Sequence, residues 1–171
     1  MTKQLHDNIC EEHLFASLFK KYSKDLHDFL YYKFGDRLNP KDKVQEAFIK
    51  LWEHCAKVPS NKAKSFLYTT ANNLMLNEAA HQKVVLKHQK QPQRTDTKET
   101  PLYKLEEKEY QQKIENALSK LTEAQRVAFM MNRVEGKRFK EIADLLDIST
   151  KAVEKRIYGA LKLLREDIEG L

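Results

Sequence analysis

The stretch Phe139-Lys-Glu-Ile-Ala-Asp-Leu-Leu-Asp-Ile-Ser-Thr-Lys-Ala-Val-Glu-Lys-Arg-Ile157 decides the fold. Phe139, Ile142, Ala143 and Leu146 recur at i, i+3, i+4 and i+7, the apolar spacing of one short helix. After Ile148, Ser149 is placed to cap a second helix whose inward stripe is Val153, Ile157, Ala160, Leu161 and Leu164. So short a turn makes the two helices cross steeply and turns one face of the second away from the core. That face carries Lys151, Lys155, Tyr158 and Lys162, a cationic surface suited to a DNA groove.

Upstream, a helix is expected over roughly Leu105 to Ser119, and another from Thr122, which forms a capping box with Gln125 and closes at Gly136. From Lys87 to Pro101 there is no aliphatic or aromatic residue, so nothing can bury a face and a mobile tether is expected. Before it, Leu14, Phe15, Leu18, Phe19, Tyr22, Leu26, Phe29 and Leu30 mark a long amphipathic helix ending near Gly35. A second helix begins at the cap Asn39-Pro40 and runs to about Ala56, and a third begins near Ser60 and continues towards Leu86.

With 4 Gly, 4 Pro and no alternating Val, Ile and Thr run, strands have little support. The fold class is all-α: two small helical bundles, residues 1–86 and 105–171, joined by a flexible polar linker over 87–104, the second bundle containing a helix-turn-helix.

The net charge of +6 is modest, and its distribution says more. Residues 137–165 hold eight basic and four acidic side chains, so positive potential is local to the helix-turn-helix, as phosphate contact requires. Cys10 and Cys55 are too few for a disulfide framework and lack paired zinc spacing, which favours a reducing compartment and no chemistry at either thiol. The N-terminus has no apolar core of the signal-peptide kind, and no segment has the apolar length that spans a bilayer, so a soluble cytoplasmic protein is expected.

Two further faces stand out. On the second helix, Val44, Phe48, Leu51, Trp52 and Cys55 form a core stripe, while Asp42, Gln45, Glu46, Ile49 and Glu53 present an acidic and polar surface with one aliphatic residue in it. Read alone, this is either a solvated face or a docking surface for a basic partner. On the third helix, Thr69, Asn73 and Asn77 repeat at i, i+4 and i+8, with Thr70 and Asn72 beside them. A merely solvated face would more often hold Lys, Glu or Gln. Asn reads base edges through its amide, and Phe66 and Tyr68 offer rings for an unstacked base; equally, both rings can be core and the Asn residues bonded locally.

Asp42-Lys-Val-Gln-Glu-Ala-Phe-Ile-Lys-Leu-Trp52, Phe66-Leu-Tyr-Thr-Thr-Ala-Asn-Asn73, the polar linker, Leu121-Thr-Glu-Ala-Gln-Arg126 and the helix-turn-helix together resemble an extracytoplasmic-function (ECF, group IV) sigma factor of bacterial RNA polymerase. The likeness runs from about Leu14 to Arg165 in the family's order. It implies that Asp42, Gln45, Glu46, Ile49 and Glu53 bind the clamp helices of core RNA polymerase. It also implies that Phe66, Tyr68, Thr69, Asn72, Asn73 and Asn77 face the melted minus-ten element, with Asn73 against a flipped-out base. Ser149, Thr150, Lys151, Glu154, Lys155, Tyr158 and Lys162 would read the duplex minus-thirty-five element, and the linker would run towards the polymerase active centre. Core RNA polymerase, promoter DNA and an anti-sigma factor are the partners it implies.

This sequence departs from the family at Lys43, Asn72, Ala80 and Glu154, which bears on promoter preference. Glu154 either accepts from a cytosine amino group or pairs with Lys151 or Tyr158. Gly159 in mid-helix costs about 1 kcal/mol against Ala and marks either close approach to a DNA backbone or a tolerated imperfection.

A response-regulator output module resembles residues 105–171 but leaves the first 86 unexplained, because a receiver domain needs alternating strands and helices. A helical adaptor would make the outward lysines a solvated face. Without a Gly-rich phosphate loop, a His-Glu-x-x-His or paired CxxC motifs, no enzyme, cofactor or metal is expected, and His54 beside Cys55 is a poor ligand pair because neighbouring helix positions diverge by about 100°.

Overall fold

The computed structural model describes residues 8–88 and 102–168, with side chains from 8–83 and 108–168. The chain divides into two compact units, Met1–Lys90 and Gln91–Leu171. The described residues form helices and turns and contain no strand.

The N-terminal unit is a three-helix bundle of α1 (Glu12–Phe34), α2 (Pro40–Glu53) and α3 (Ala63–His88). Gly35 ends α1 with φ 81°, a conformation that glycine adopts without a Cβ penalty, and its N–H donates to the Tyr31 carbonyl. A short 3₁₀ turn, Asp36–Leu38, leads to Asn39. The expected side-chain cap is absent there. Asn39 instead takes the left-handed conformation that Asn tolerates, φ 50°, and its carbonyl accepts from the N–H groups of Asp42 and Lys43 at 3.1 and 3.3 Å. The second helix stops at Glu53 rather than Ala56, because His54 leaves helical geometry and its ring Nδ1 lies 2.8 Å from the Lys50 carbonyl, occupying an acceptor of the last turn.

Leu26, Leu30, Val44, Ala47, Phe48, Leu51, Ala63, Leu67, Ala71 and Met75 fill the core, and alanines at 47, 63 and 71 let the helix backbones approach closely. Trp52, read from its spacing as core, is 45% exposed, and its ring meets Phe15 in a T-shaped contact at a centroid separation of 5.0 Å. Lys43 lies 3.5 Å from both Glu46 and Glu78, which ties α2 to α3 and gives this departure from the family a structural role. On α1, burial opposes ionisation of Asp28, but hydrogen bonds from Lys24 and His27 and their charges outweigh it and hold the carboxyl below the usual carboxylate range.

The cysteines overturn the sequence reading. Cys10 and Cys55 are joined in a disulfide, with Cα atoms 5.1 Å apart, inside the normal range for such bonds. Because α1 and α2 run antiparallel, the turn before α1 meets the turn after α2, and 45 residues of separation collapse to contact. In the chain-entropy description, closing a loop of that length stabilises the fold by about 4 kcal/mol.

The C-terminal unit comprises α4 (Leu102–Lys120), α5 (Glu123–Arg133), α6 (Phe139–Leu146) and α7 (Thr150–Asp167). Of the stretch 87–104 that the sequence assigns to a linker, residues 87–88 belong to α3 and 102–104 to α4, and 89–101 lie outside the described residues. Thr122 and Gln125 form the anticipated capping box, at 3.2 and 3.1 Å. At the far end of α5 the chain turns through Gly136, φ 66°. Asp147, φ 56°, then closes α6, and the Ile148 N–H reaches back to the Ala143 carbonyl at 3.1 Å. Ser149 Oγ caps α7 by accepting from the Ala152 N–H at 3.2 Å. Ala117, Leu121, Phe129, Ala160, Leu164 and Ile168 form one buried cluster. Val127, Met131, Ile142, Val153 and Ile157 are buried around the α5, α6 and α7 contacts.

Candidate nucleic-acid interface

The inward stripe of α7 is as its spacing requires: Val153, Ile157, Ala160 and Leu164 are buried and Leu161 is half-buried. The burial leaves the opposite face in solvent. Ser149, Thr150, Lys151, Glu154, Lys155, Tyr158 and Lys162 are all exposed, Tyr158 by 58%. From Lys151 to Lys162 the cationic stripe extends about 16 Å along the helix, one aromatic ring among three ammonium groups. Glu154 forms no ion pair with Lys151 among the described residues, so its carboxylate stays open on the same surface.

Gly159 has a cause that neither sequence reading named. It sits against α5, and a Cβ there would lie 2.8 Å from the Gln125 amide nitrogen, so that side chain would have to shift. The small residue accommodates the capping box of α5.

On α3 the residues grouped by sequence divide between two surfaces. Thr69, Asn73 and Asn77 are exposed along one line, with Phe66 half-buried on that side, packed on the core with its ring 6.0 Å from His54. Tyr68 and Asn72 lie on the flank facing α1. The Tyr68 ring packs on Phe29 at 5.1 Å, and Asn72 Oδ1 accepts from Lys33 Nζ at 2.7 Å. Lys33 was missed in the sequence although its spacing was visible: it follows Phe29 by four positions, and its ammonium lies over the Phe29 and Phe34 rings at 5.6 and 5.2 Å.

On α2, Asp42, Gln45, Ile49 and Glu53 are exposed, Ile49 by 58%, and Glu46 is half-buried beside Lys43. Gln45 also lines an open groove of about 350 Å³ between α1 and α2, with Phe19, Ser23, Lys24, His27, Lys41 and Val44. Phe19 is 43% exposed at its rim. The acidic face therefore adjoins apolar surface.

Among the described residues no group of His, Cys, Asp and Glu is arranged to hold a metal ion, and no helix is long and apolar enough to cross a membrane.

Helix-only units with a cationic helix-turn-helix in the second define a DNA-binding class of protein. Sigma-70 region 2 matches residues 18–84 and sigma-70 region 4 matches residues 111–164, so the chain carries the two domains of the sigma-70 family, which serves transcription initiation, in that family's order. No curated protein matches it in sequence. Among solved structures, a chain of the RsbN–BldN complex, solved at 1.8 Å, is 18% identical over 96% of this chain and 100% of that one, with a TM-score of 0.37. At that score the likeness bears on the function of neither unit.

Proposed function

We propose that this protein is a sigma factor of the ECF type, which binds core RNA polymerase and directs initiation at its own promoters. The observation that carries the reading is the presence of both sigma-70 domains on one short chain. A response-regulator output module would account for the second alone.

In this reading the N-terminal unit, with residues 1–86, docks on polymerase through Asp42, Gln45, Glu46, Ile49 and Glu53. An acidic rim around exposed Ile49 suits a basic helical partner, whose apolar side chains would cover the aliphatic residue while the rim sets orientation. The Thr69, Asn73 and Asn77 line, with Phe66 at its edge, receives the separated minus-ten strand. Extruding a base costs a few kcal/mol and stacking returns about 1 to 3, so strand capture must add amide contacts such as that of Asn73. Tyr68 and Asn72 act from the α1 flank. In the C-terminal unit, with residues 105–171, the α7 stripe reads the minus-thirty-five duplex: Lys151, Lys155 and Lys162 hold phosphates, and Ser149, Thr150, Glu154 and Tyr158 lie nearest base edges. An anti-sigma factor is the regulator that the family likeness suggests, and the site of action is the cytoplasm.

Competition for core polymerase tests the docking face. Replacing Gln45 and Glu46 together by Ala should weaken binding while helix content and melting stay near those of the parent. Unchanged affinity would remove the α2 face from the account.

A further inference from the structure

The disulfide ties the turn before α1 to the turn after α2. The core of this unit is filled by ten side chains from α1, α2 and α3 together with Ile9 of the turn before α1. Of that short turn only Ile9 enters the interior, where it is 1% exposed, and the turn itself is held by two bonds to Asn8, from the Glu11 N–H to its carbonyl at 2.9 Å and from the Cys10 N–H to its Oδ1 at 3.2 Å. The bond thus joins two turns at one end of the α1–α2 pair, at the edge of the core.

What it fixes lies beside a functional surface. Cys55 is two residues beyond Glu53 and three beyond Trp52, in the turn that ends α2, and Cys10 precedes Phe15, whose ring meets Trp52 at 5.0 Å and Phe48 at 6.0 Å. Both cysteine residues are half-buried, so neither is sealed inside the core. We propose that Cys10 and Cys55 form a reversible thiol–disulfide exchange site, served by a dithiol reductant, that sets the affinity of the α2 face for its partner.

The exchange balances. One thiolate of the reductant attacks a sulfur of the pair, the Cys10–Cys55 bond breaks, and a mixed disulfide forms with release of the other thiolate. The second thiol of the reductant displaces the mixed disulfide, so two electrons and two protons pass to the protein and the reductant leaves as its own disulfide. A disulfide oxidant of the same class runs the sequence backwards. In the oxidised protein the last turn of α2, with Trp52 and Glu53, is held to the start of α1 and is preorganised for docking. After reduction Ile9 still seats the 8–11 turn in the core, but the end of α2 loses its covalent tie to that turn and must be ordered on binding.

The regulatory half of the proposal rests on the polymerase-docking reading of α2, so the experiment has two arms. First, the full oxidised chain is treated with a reduced thioredoxin-type protein under native conditions and alkylated. Labelling of both cysteines with helix content retained is expected, and labelling only in denaturant overturns the exchange site. Second, core polymerase binding is compared for the oxidised chain, the reduced chain and the C10S/C55S variant. Binding several-fold weaker in the last two, with the variant indifferent to reductant, is expected; equal binding in all three overturns control of docking. If no form binds polymerase, the docking reading fails by itself. Amide exchange over residues 8–15 and 50–57 then decides: faster exchange on reduction supports the latch, and unchanged exchange overturns it.

Discussion

Lys33 on α1 donates a 2.7 Å hydrogen bond to Oδ1 of Asn72 on α3, so the Asn72 amide is oriented by a neighbouring helix rather than by its own. With the oxygen engaged, the amide N–H₂ is directed away from the ammonium. Lys33→Met and Asn72→Ala should each reduce promoter opening, and the double variant should lose less than the two combined, a coupling of about 0.5 to 1.5 kcal/mol for one shared bond. Permanganate reactivity of melted thymines reads this out. Strict additivity would separate Lys33 from the minus-ten surface.

Asn73 is exposed one position further on. Asn73→Ala should cost about 1 to 3 kcal/mol in open-complex formation, the scale of one lost base contact, with polymerase affinity preserved. If both fall together, the residue acts through the fold.

Lys155 lies in the middle of the exposed α7 stripe. Its replacement by Ala should weaken minus-thirty-five duplex binding nearly uniformly across sequences and lower the slope of log affinity against log salt by about 0.9, the value for one phosphate. A sequence-dependent loss with an unchanged slope would make it a base reader instead.

Gly159 and Gln125 offer a test within the C-terminal unit. Ala at 159 gains about 1 kcal/mol of helix propensity but displaces the Gln125 amide, 2.8 Å from the new Cβ, and with it the capping box. Gly159→Ala should therefore stabilise the Gln125→Ala background by about 1 kcal/mol and the parent by clearly less. Equal gains in both, measured by urea denaturation of the full chain, would dissolve the link.

Local chemistry was the legible part. Apolar spacing gave α6 and α7, the Thr122 and Gln125 pair gave the start of α5, and Ser149 gave the start of α7, because each depends on residues within a turn or two of one another. What escaped depends on neighbours far along the chain. The Cys10–Cys55 bond follows from antiparallel packing of α1 on α2, which no spacing of two cysteines reports. The division of the α3 residues follows from which flank α1 covers, and the close neighbour of Gly159 is a side chain on α5. Asn39 was rightly placed at a helix start, yet its role is a left-handed turn, an alternative that Asn offers as readily as a side-chain cap.

Run-off transcription with purified core polymerase, the full chain and a library of genomic fragments tests the central claim most directly. Discrete transcripts that require the chain, and that share upstream sequence at two spaced elements, are predicted. A chain that fails to join core polymerase, or joins it and starts no transcript on any fragment, would contradict the account.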